Sequence, residues 1–316
     1  MNDKQEDMYS NYITTRDGKK IFFSTNFPHN SDRQGKPVVM FNYGLVCSNQ
    51  HWGKQIQYFK DIGYDVIIHN YRGHFNSTGE DDVDSITFEN IAEDINLIIE
   101  RLELSDVTML GHSMGVNVTL EYSKLYQEKL NAMILISGSV LSPRDTMFKS
   151  NILDITGDYW VQMKDSFPEF YNFFWRNSGK IPVFRDFVRQ GGFNKEMVPQ
   201  EYVNQYLNLM GQLNPEIFFK LIDQMHAHDM ISHVERIQTP TLLVGGDQDQ
   251  MIPNYALNVL LEKLPNAKMY IVKDGSHVPQ IDFPKFINQR IKVFLDTLTN
   301  NYKEGKKAAL SLLSNA

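Results

Sequence analysis

Ser113 lies in Gly111-His112-Ser113-Met114-Gly115, between the apolar, β-prone run Val107–Leu110 and a stretch from Met114 that continues as a helix through Tyr126. That spacing leaves almost no room for a loop, so the turn must be sharp. Glycines stand two residues to either side of Ser113, where a Cβ would obstruct close approach of strand, helix and neighbouring backbone. A serine at the apex of such a turn has its hydroxyl pushed out above the sheet edge, in position to attack an electrophilic carbon. A hydroxyl is a poor nucleophile at neutral pH. It needs a base within hydrogen-bond reach, and the base needs a third group to fix its orientation and tautomer.

As a bare pattern Gly-x-Ser-x-Gly is weak; strand before, helix after and ordered partners downstream give it weight. With that context the chain resembles the α/β-hydrolase superfamily, in its serine-nucleophile branch with a helical cap, of the carboxylesterase or monoglyceride-lipase kind. The resemblance implies Ser113 as nucleophile. Gly246-Asp247-Gln248-Asp249-Gln250-Met251-Ile252-Pro253 fits the family's Gly-x-x-Asp-x-x-x-Pro and implies Asp249 as the acid, with Asp247 a weaker stand-in. The other customary place for the acid, at Ser137-Gly138-Ser139, holds none. His277, in Asp274-Gly275-Ser276-His277-Val278-Pro279, lies where the family places its catalytic histidine, after the last strand and after both serine and acid.

Two further loops carry the likeness with departures. Asn42-Tyr43-Gly44-Leu45 stands where the family has a His-Gly pair whose next backbone N–H helps form the oxyanion hole; Tyr43 replaces the histidine. The donor is main chain, so the role carries over to the N–H groups of Leu45 and Met114. Asn70-Tyr71-Arg72-Gly73-His74-Phe75-Asn76-Ser77 is similar to Asp-x-Arg-Gly-x-Gly-x-Ser, with Asn70 in place of the acid and Phe75 in place of a glycine. Arg72 is read as a brace between loops and His74 as a surface loop residue.

The elements that must position these residues follow from periodicity. Tyr9–Thr14 and Lys20–Asn26 alternate as two strands around Thr15-Arg16-Asp17-Gly18, an opening hairpin. Val38–Phe41, Asp65–Asn70, Val107–Leu110 and Ala132–Ile136 are strand-like and alternate with helical stretches, among them one capped by Thr87 with Phe88, Ile91, Ile95, Ile98 and Leu102 at helical spacing. That alternation predicts an α/β fold with a mostly parallel central sheet covered by helices on both faces. It stops between Val140 and Arg236, in a Pro-interrupted helical segment with Tyr159, Trp160, Phe167, Phe170, Tyr171, Phe173, Phe174, Trp175, Phe184 and Phe187. It resumes with strands at Thr241–Val244 and Lys268–Val272, helices at Asn254–Leu264 and Pro284–Leu298, and a tail that forms a short frayed helix. The expected organisation is a core from 1–139 and 237–300, an inserted helical cap at 140–236, and a C-terminal tail at 301–316 without assigned function. Most of the aromatics are expected to hold the cap together, with Met210, Met225 and Met230 as adaptable packing residues.

Composition excludes several alternatives. The 316-residue chain is 42% apolar and 22% charged, with a net charge of -7, and no basic stripe suits it to nucleic acid. Its apolar runs are strand-sized, so no transmembrane segment is expected. From a polar N-terminus without a secretory core and a single cysteine, Cys47, a reducing, cytoplasmic location is expected. The acidic run Glu80–Asp84 lacks calcium-loop spacing and reads as a solvated loop. His226 and His228, two apart on a helix, point away from one another, so no metal site is expected there.

The expected activity is therefore serine hydrolysis of a carboxylic ester, lipid-like or thioester, on a small molecule with an apolar portion, through an acyl-enzyme and with no cofactor. A carbon–carbon bond hydrolase and a cofactor-free perhydrolase or haloperoxidase would use the same three residues. A non-catalytic ligand receptor on the same scaffold is the alternative of another class. Oligomeric state is left open.

Overall fold

Alternating side chains near the N-terminus pair as a hairpin: β1 (Tyr9–Thr14) runs antiparallel to β2 (Lys20–Thr25), and the turn between them puts Gly18 at φ 80°. The computed structural model describes residues 8–142, 163, 165–194 and 196–314, the side chains of 184, 187, 190, 191 and 301–314 excepted. From Val38 strands and helices alternate: β3 (Val38–Asn42), α1 (Gly53–Asp61), β4 (Asp65–His69), α2 (Phe88–Arg101), β5 (Val107–His112), α3 (Met114–Tyr126) and β6 (Leu130–Ile136). An excursion follows, with α4 (Pro168–Asn177), α5 (Pro182–Gly192), α6 (Gln200–Gln212), α7 (Pro215–Ala227) and the short α8 (Ile231–Val234). The chain then returns through β7 (Thr241–Gly246), α9 (Asn254–Lys263), β8 (Ala267–Val272), α10 (Pro279–Asp282) and α11 (Pro284–Ser314).

Among the described residues the strands form one eight-stranded sheet in the order β1-β2-β4-β3-β5-β6-β7-β8. Pairing is parallel from β4 to β8, and β2 joins β4 antiparallel. The expected α/β architecture is the one observed. Every residue of β3, β4, β5 and β7 is buried, as a parallel strand covered on both faces requires. Helix α2 buries Phe88, Ile91, Ile95 and Ile98, and its Thr87 hydroxyl accepts from the Asn90 N–H at 3.1 Å. One boundary differs: the last helix does not stop near Leu298 but continues to Ser314, through Lys, Glu, Ala and Leu residues that favour a helix.

The excursion between β6 and β7 packs on the sheet rather than standing apart. Trp175, Met210, Leu213, Ile217, Leu221, Met225 and Met230 join the main core, so the three methionines are packing residues. Phe193, Val198, Val203 and Leu207 form a smaller cluster with Val278 and Ile281, which follow His277 in sequence. The aromatics divide in a way periodicity did not foretell. Tyr171 and Trp175 are buried, whereas Phe167, Phe170 and Phe173 are 66%, 58% and 67% exposed, so they do not hold the segment together. Tyr159 and Trp160, and the side chains of Phe184 and Phe187, lie outside the described residues.

Arg72 is a brace. Its buried guanidinium grips Asp94 of α2 with two hydrogen bonds, Nε to Oδ2 at 2.8 Å and Nη2 to Oδ1 at 2.7 Å, and reaches Asp17 of the hairpin turn at 3.1 Å. Removing one partner of a buried ion pair leaves the other charge without compensation, which costs about 3 to 5 kcal/mol. Asp94→Ala should lose about that much in urea unfolding, and a loss under about 1 kcal/mol would show that the brace is dispensable. The loop that follows takes a left-handed path at Phe75, φ 50°, where the resembled motif has glycine. His74 is not a surface residue: it is buried, its Nδ1 lies 3.0 Å from the Arg72 carbonyl, and its ring packs between Tyr43, Tyr71 and Phe75. Burial pushes its pKa down to about 4, so it is neutral at neutral pH.

Candidate active site

The turn at Ser113 is as tight as its glycines suggest. A Cβ on Gly115 would sit 2.2 Å from the carbonyl oxygen of Asn42, and one on Gly111 would sit 2.5 Å from that of Gly115. Ser113 itself has φ 55° and ψ -122°, a conformation that costs a non-glycine residue on the order of 1 to 3 kcal/mol and persists only where its surroundings enforce it. Those surroundings are polar and buried. His69 Nε2 lies 2.9 Å from Asn42 Oδ1, Asn42 Nδ2 donates to Thr119 at 2.9 Å, and the Thr119 hydroxyl donates to the Gly115 carbonyl at 2.8 Å. Burial lowers the pKa of His69 to about 3, so its neutral ring donates to the Asn42 oxygen. This chain ties β4, β3 and α3 together immediately behind the serine.

The loops after β7 and β8 meet next to it. A Cβ on Gly246 would stand 2.1 Å from the Gly275 carbonyl, and the Gln248 N–H donates to that carbonyl at 2.9 Å. This contact puts Asp249 beside His277. The Asp249 carboxylate accepts from the Met251 and Ile252 N–H groups, both at 2.9 Å, and lies 3.0 Å from His277 Nδ1. His277 Nε2 in turn lies 3.0 Å from Ser113 Oγ. The structure thus brings Ser113, His277 and Asp249, distant in sequence, into one hydrogen-bonded line. Asp249 is the acid in contact, and Asp247 stands outside the line.

Around the serine, Gly44 lies so close that a Cβ there would be 3.0 Å from Ser113 Cβ. The loop carrying Leu45 therefore passes directly over the nucleophile, and it turns at Val46, φ 62°, an unusual conformation for a β-branched residue. Met114 opens α3, so its N–H has no acceptor within the helix, and the positive end of the helix points at the same place. Tyr43, in the position of the family's histidine, packs on Tyr71 at 4.2 Å; its hydroxyl accepts from the Tyr71 N–H, and the Tyr71 hydroxyl donates to its carbonyl. From the excursion, Tyr206 reaches the ring of His51 at 6.2 Å, and Asn194 donates to the Asp274 carbonyl at 2.7 Å.

A fold model described as alpha/beta hydrolase fold matches residues 37–284, which takes in all of these loops. The chain belongs to the α/β-hydrolase fold family. Within that family it is similar to the non-heme chloroperoxidase CPO-A1 of Kitasatospora aureofaciens, 27% identical over 266 residues that cover 84% of this chain and 90% of the relative. It is also similar to the bifunctional esterase/perhydrolase DCH of Acinetobacter calcoaceticus, 25% identical over 280 residues that cover 86% of this chain and 92% of that protein. Among solved structures, an esterase from Exiguobacterium antarcticum superposes with a TM-score of 0.71 at 20% identity, covering 90% of this chain and 98% of its own. That likeness concerns the fold.

Two polar residues beside the line in this α/β hydrolase were not singled out from sequence. His112 donates from Nε2 to the carbonyl of His277 at 2.9 Å. Asp282, on α10, accepts from the Ser276 N–H at 2.6 Å and the Ser276 hydroxyl at 3.1 Å. The available signal for Asp282 was an acid five residues beyond the histidine, in His277-Val278-Pro279-Gln280-Ile281-Asp282. Burial pushes its carboxyl up to about 6, against the pull of the Ser276 donors, and the neighbouring Asp249 adds to the rise. A carboxyl whose pKa is raised on folding binds more protons folded than unfolded between about pH 4 and pH 6, so it withdraws stability as pH climbs through that window. The full effect is at most about 3 kcal/mol. Asp282→Asn lacks this titration, so the stability of wild type minus that of the variant should fall between pH 4 and pH 7. A difference flat with pH in paired urea titrations would contradict the buried-carboxyl reading.

The remaining histidines that drew notice do not converge. His226 Nδ1 lies 2.7 Å from the Ser142 hydroxyl, while His228 bridges Glu121 (2.9 Å from Nε2) and Asn117 (3.0 Å from Nδ1). Among the described residues there is no group of three or more His, Cys, Asp or Glu side chains arranged to hold a metal ion. Among the same residues no helix is long and apolar enough to cross a membrane. The acidic loop is partly paired, Lys19 with Asp82 at 3.1 Å and Lys220 with Asp84 at 3.2 Å.

Proposed function

We propose that the protein is a serine hydrolase that cleaves a carboxylic ester through an acyl-enzyme. The observation that carries this reading is the continuous line from Ser113 Oγ through both ring nitrogens of His277 to Asp249, at 3.0 Å on each side. In it His277 takes the Ser113 proton as the oxygen attacks the ester carbonyl, and Asp249 fixes the Nδ1–H tautomer and steadies the imidazolium. The N–H groups of Leu45 and Met114 receive the charge that develops on the carbonyl oxygen, each such donor being worth about 3 to 4 kcal/mol. His277 then protonates the departing alkoxide. Water, deprotonated by the same ring, releases the acid, and no cofactor takes part.

The excursion at 140–236 serves as a cap between the two parts of a core at 1–139 and 237–300, with 301–316 as a tail. Its Tyr206 and Phe193 cluster lies against the His277 loop, which suits a substrate with an apolar portion. Similarity to a bifunctional esterase/perhydrolase favours a second outcome of the same acyl-enzyme, transfer to hydrogen peroxide in place of water, with a peracid as product. Treatment with a fluorophosphonate probe, beside a folded Ser113→Ala variant, tests the common core of both readings. Labelling that needs Ser113, with turnover of p-nitrophenyl esters, is the expected result; no labelling of the folded wild type would sink it. Peracid formation from a short carboxylic acid and peroxide then separates the two outcomes.

A further inference from the structure

His112 is the residue immediately before the nucleophile, and its side chain is 2% exposed. The Nε2 atom lies 2.9 Å from the main-chain carbonyl of His277, which can only accept, so Nε2 carries the hydrogen. Its ring also packs on the His277 ring with centroids 5.1 Å apart, and on Trp52 edge-on at 6.3 Å. Two hydrogen bonds therefore join His277 to two consecutive residues of the elbow: the imidazole to Ser113, and the carbonyl to His112. Together with the covalent link between His112 and Ser113 they close a ring. Gln248, Asn194 and Asp282 hold residues 274–276 of the same loop, but a residue tied to the elbow only through its imidazole can still pivot at its own main chain. One held through its carbonyl as well has a fixed distance and angle to the serine.

We infer that His112 is a positioning residue that locks the main chain of His277 to the nucleophile elbow. The inference rests on the reading of Ser113 and His277 as nucleophile and base. Burial keeps His112 from charging, as does the proximity of His277, so the clamp survives when His277 takes up a proton and no second cation appears beside it. A misplacement of about 1 Å in a catalytic group can cost about 100-fold in rate, so loss of the clamp belongs in kcat rather than in substrate affinity.

The test compares His112→Phe, which keeps an aromatic ring and removes the donor, with His112→Gln, whose terminal amide can reach the same carbonyl. Kinetics on a p-nitrophenyl ester, fluorophosphonate labelling rates and thermal unfolding are measured for both and for wild type. The expected result is a kcat about 10- to 100-fold lower in His112→Phe with KM within about threefold, and recovery in His112→Gln to within about fivefold of wild type. If His112→Phe does not fold, His112→Asn, too short to span the gap, replaces it against His112→Gln with the same expectation. Unchanged kcat in the folded donor-less variant overturns the inference, as does a loss that the glutamine leaves unrepaired. A wild type that neither labels nor turns over ester strikes the triad reading itself, which is a separate result from any pattern among the His112 variants.

Discussion

Ser113→Ala, His277→Ala and the double variant are expected to lose ester turnover by nearly the same factor, about 10⁴- to 10⁶-fold. The equality matters more than the size. Ser113 Oγ has its acceptor in His277 Nε2 at 3.0 Å, and the imidazole has its orientation from Asp249 at 3.0 Å, so each group works only through the other. On the proposed mechanism, once either is gone the second has nothing left to contribute, and the residual rate is expected to come from the N–H groups of Leu45 and Met114 and from substrate binding. Single and double variants should therefore share one floor above the uncatalysed reaction. Independent losses that multiply in the double variant, or a Ser113→Ala enzyme within about 100-fold of wild type, would place the chemistry elsewhere.

Gly115→Ala is expected to destabilise the fold by about 3 kcal/mol or more and to abolish activity in whatever fraction remains folded. The added carbon would lie 2.2 Å from the oxygen and 2.7 Å from the carbon of the Asn42 carbonyl, and 2.9 Å from the Tyr43 oxygen. All three are backbone atoms at the end of a buried strand, so no side chain can rotate away. The relief available is to push the Asn42–Leu45 segment off α3, which breaks the Asn42–Thr119 bond and moves the loop that passes over Ser113. Urea unfolding and ester turnover read the two effects separately. A Gly115→Ala protein with wild-type stability would mean that strand and helix have slack the geometry does not display.

What could be read from sequence was what is decided locally. Gly111 answers to a clash with Gly115 within a few residues of Ser113, whereas Gly115 answers to the backbone of Asn42 on a neighbouring strand; the buried strands announce themselves as short apolar runs, so the sheet and its crossing helices were legible from Val38 to Ile136. The order Ser113, Asp249, His277 was legible through family resemblance, and the structure brings those three side chains together. Burial of polar loop residues was not. His74 reads as a loop histidine, but Tyr43, Tyr71 and Phe75 close over it, and nothing local to Gly73-His74-Phe75 encodes those contacts. His112 is a similar case, since it acts on a carbonyl 165 residues away whose position depends on how separate loops meet. The phenylalanines at 167, 170 and 173 failed in the opposite direction: three residues apart, they share a helical face, and periodicity alone does not say whether that face turns inward.

The long excursion between β6 and β7 is fastened near both of its ends to one helix, α3. The Asn117 amide donates both to the Ser139 carbonyl at 3.3 Å and to His228 Nδ1 at 3.0 Å, and Glu121 holds the far side of that histidine. With its ends fastened to the same helix, the length of chain between them is thermodynamically cheap to change: each doubling adds only about 0.6 kcal/mol of closure entropy. The scaffold is thus modular in an evolutionary sense. Changes of length in the loops between the excursion's helices can explore new shapes above the sheet, provided that Trp175, Met210, Ile217 and Leu221 stay seated on the core and Phe193 and Leu207 stay against Val278.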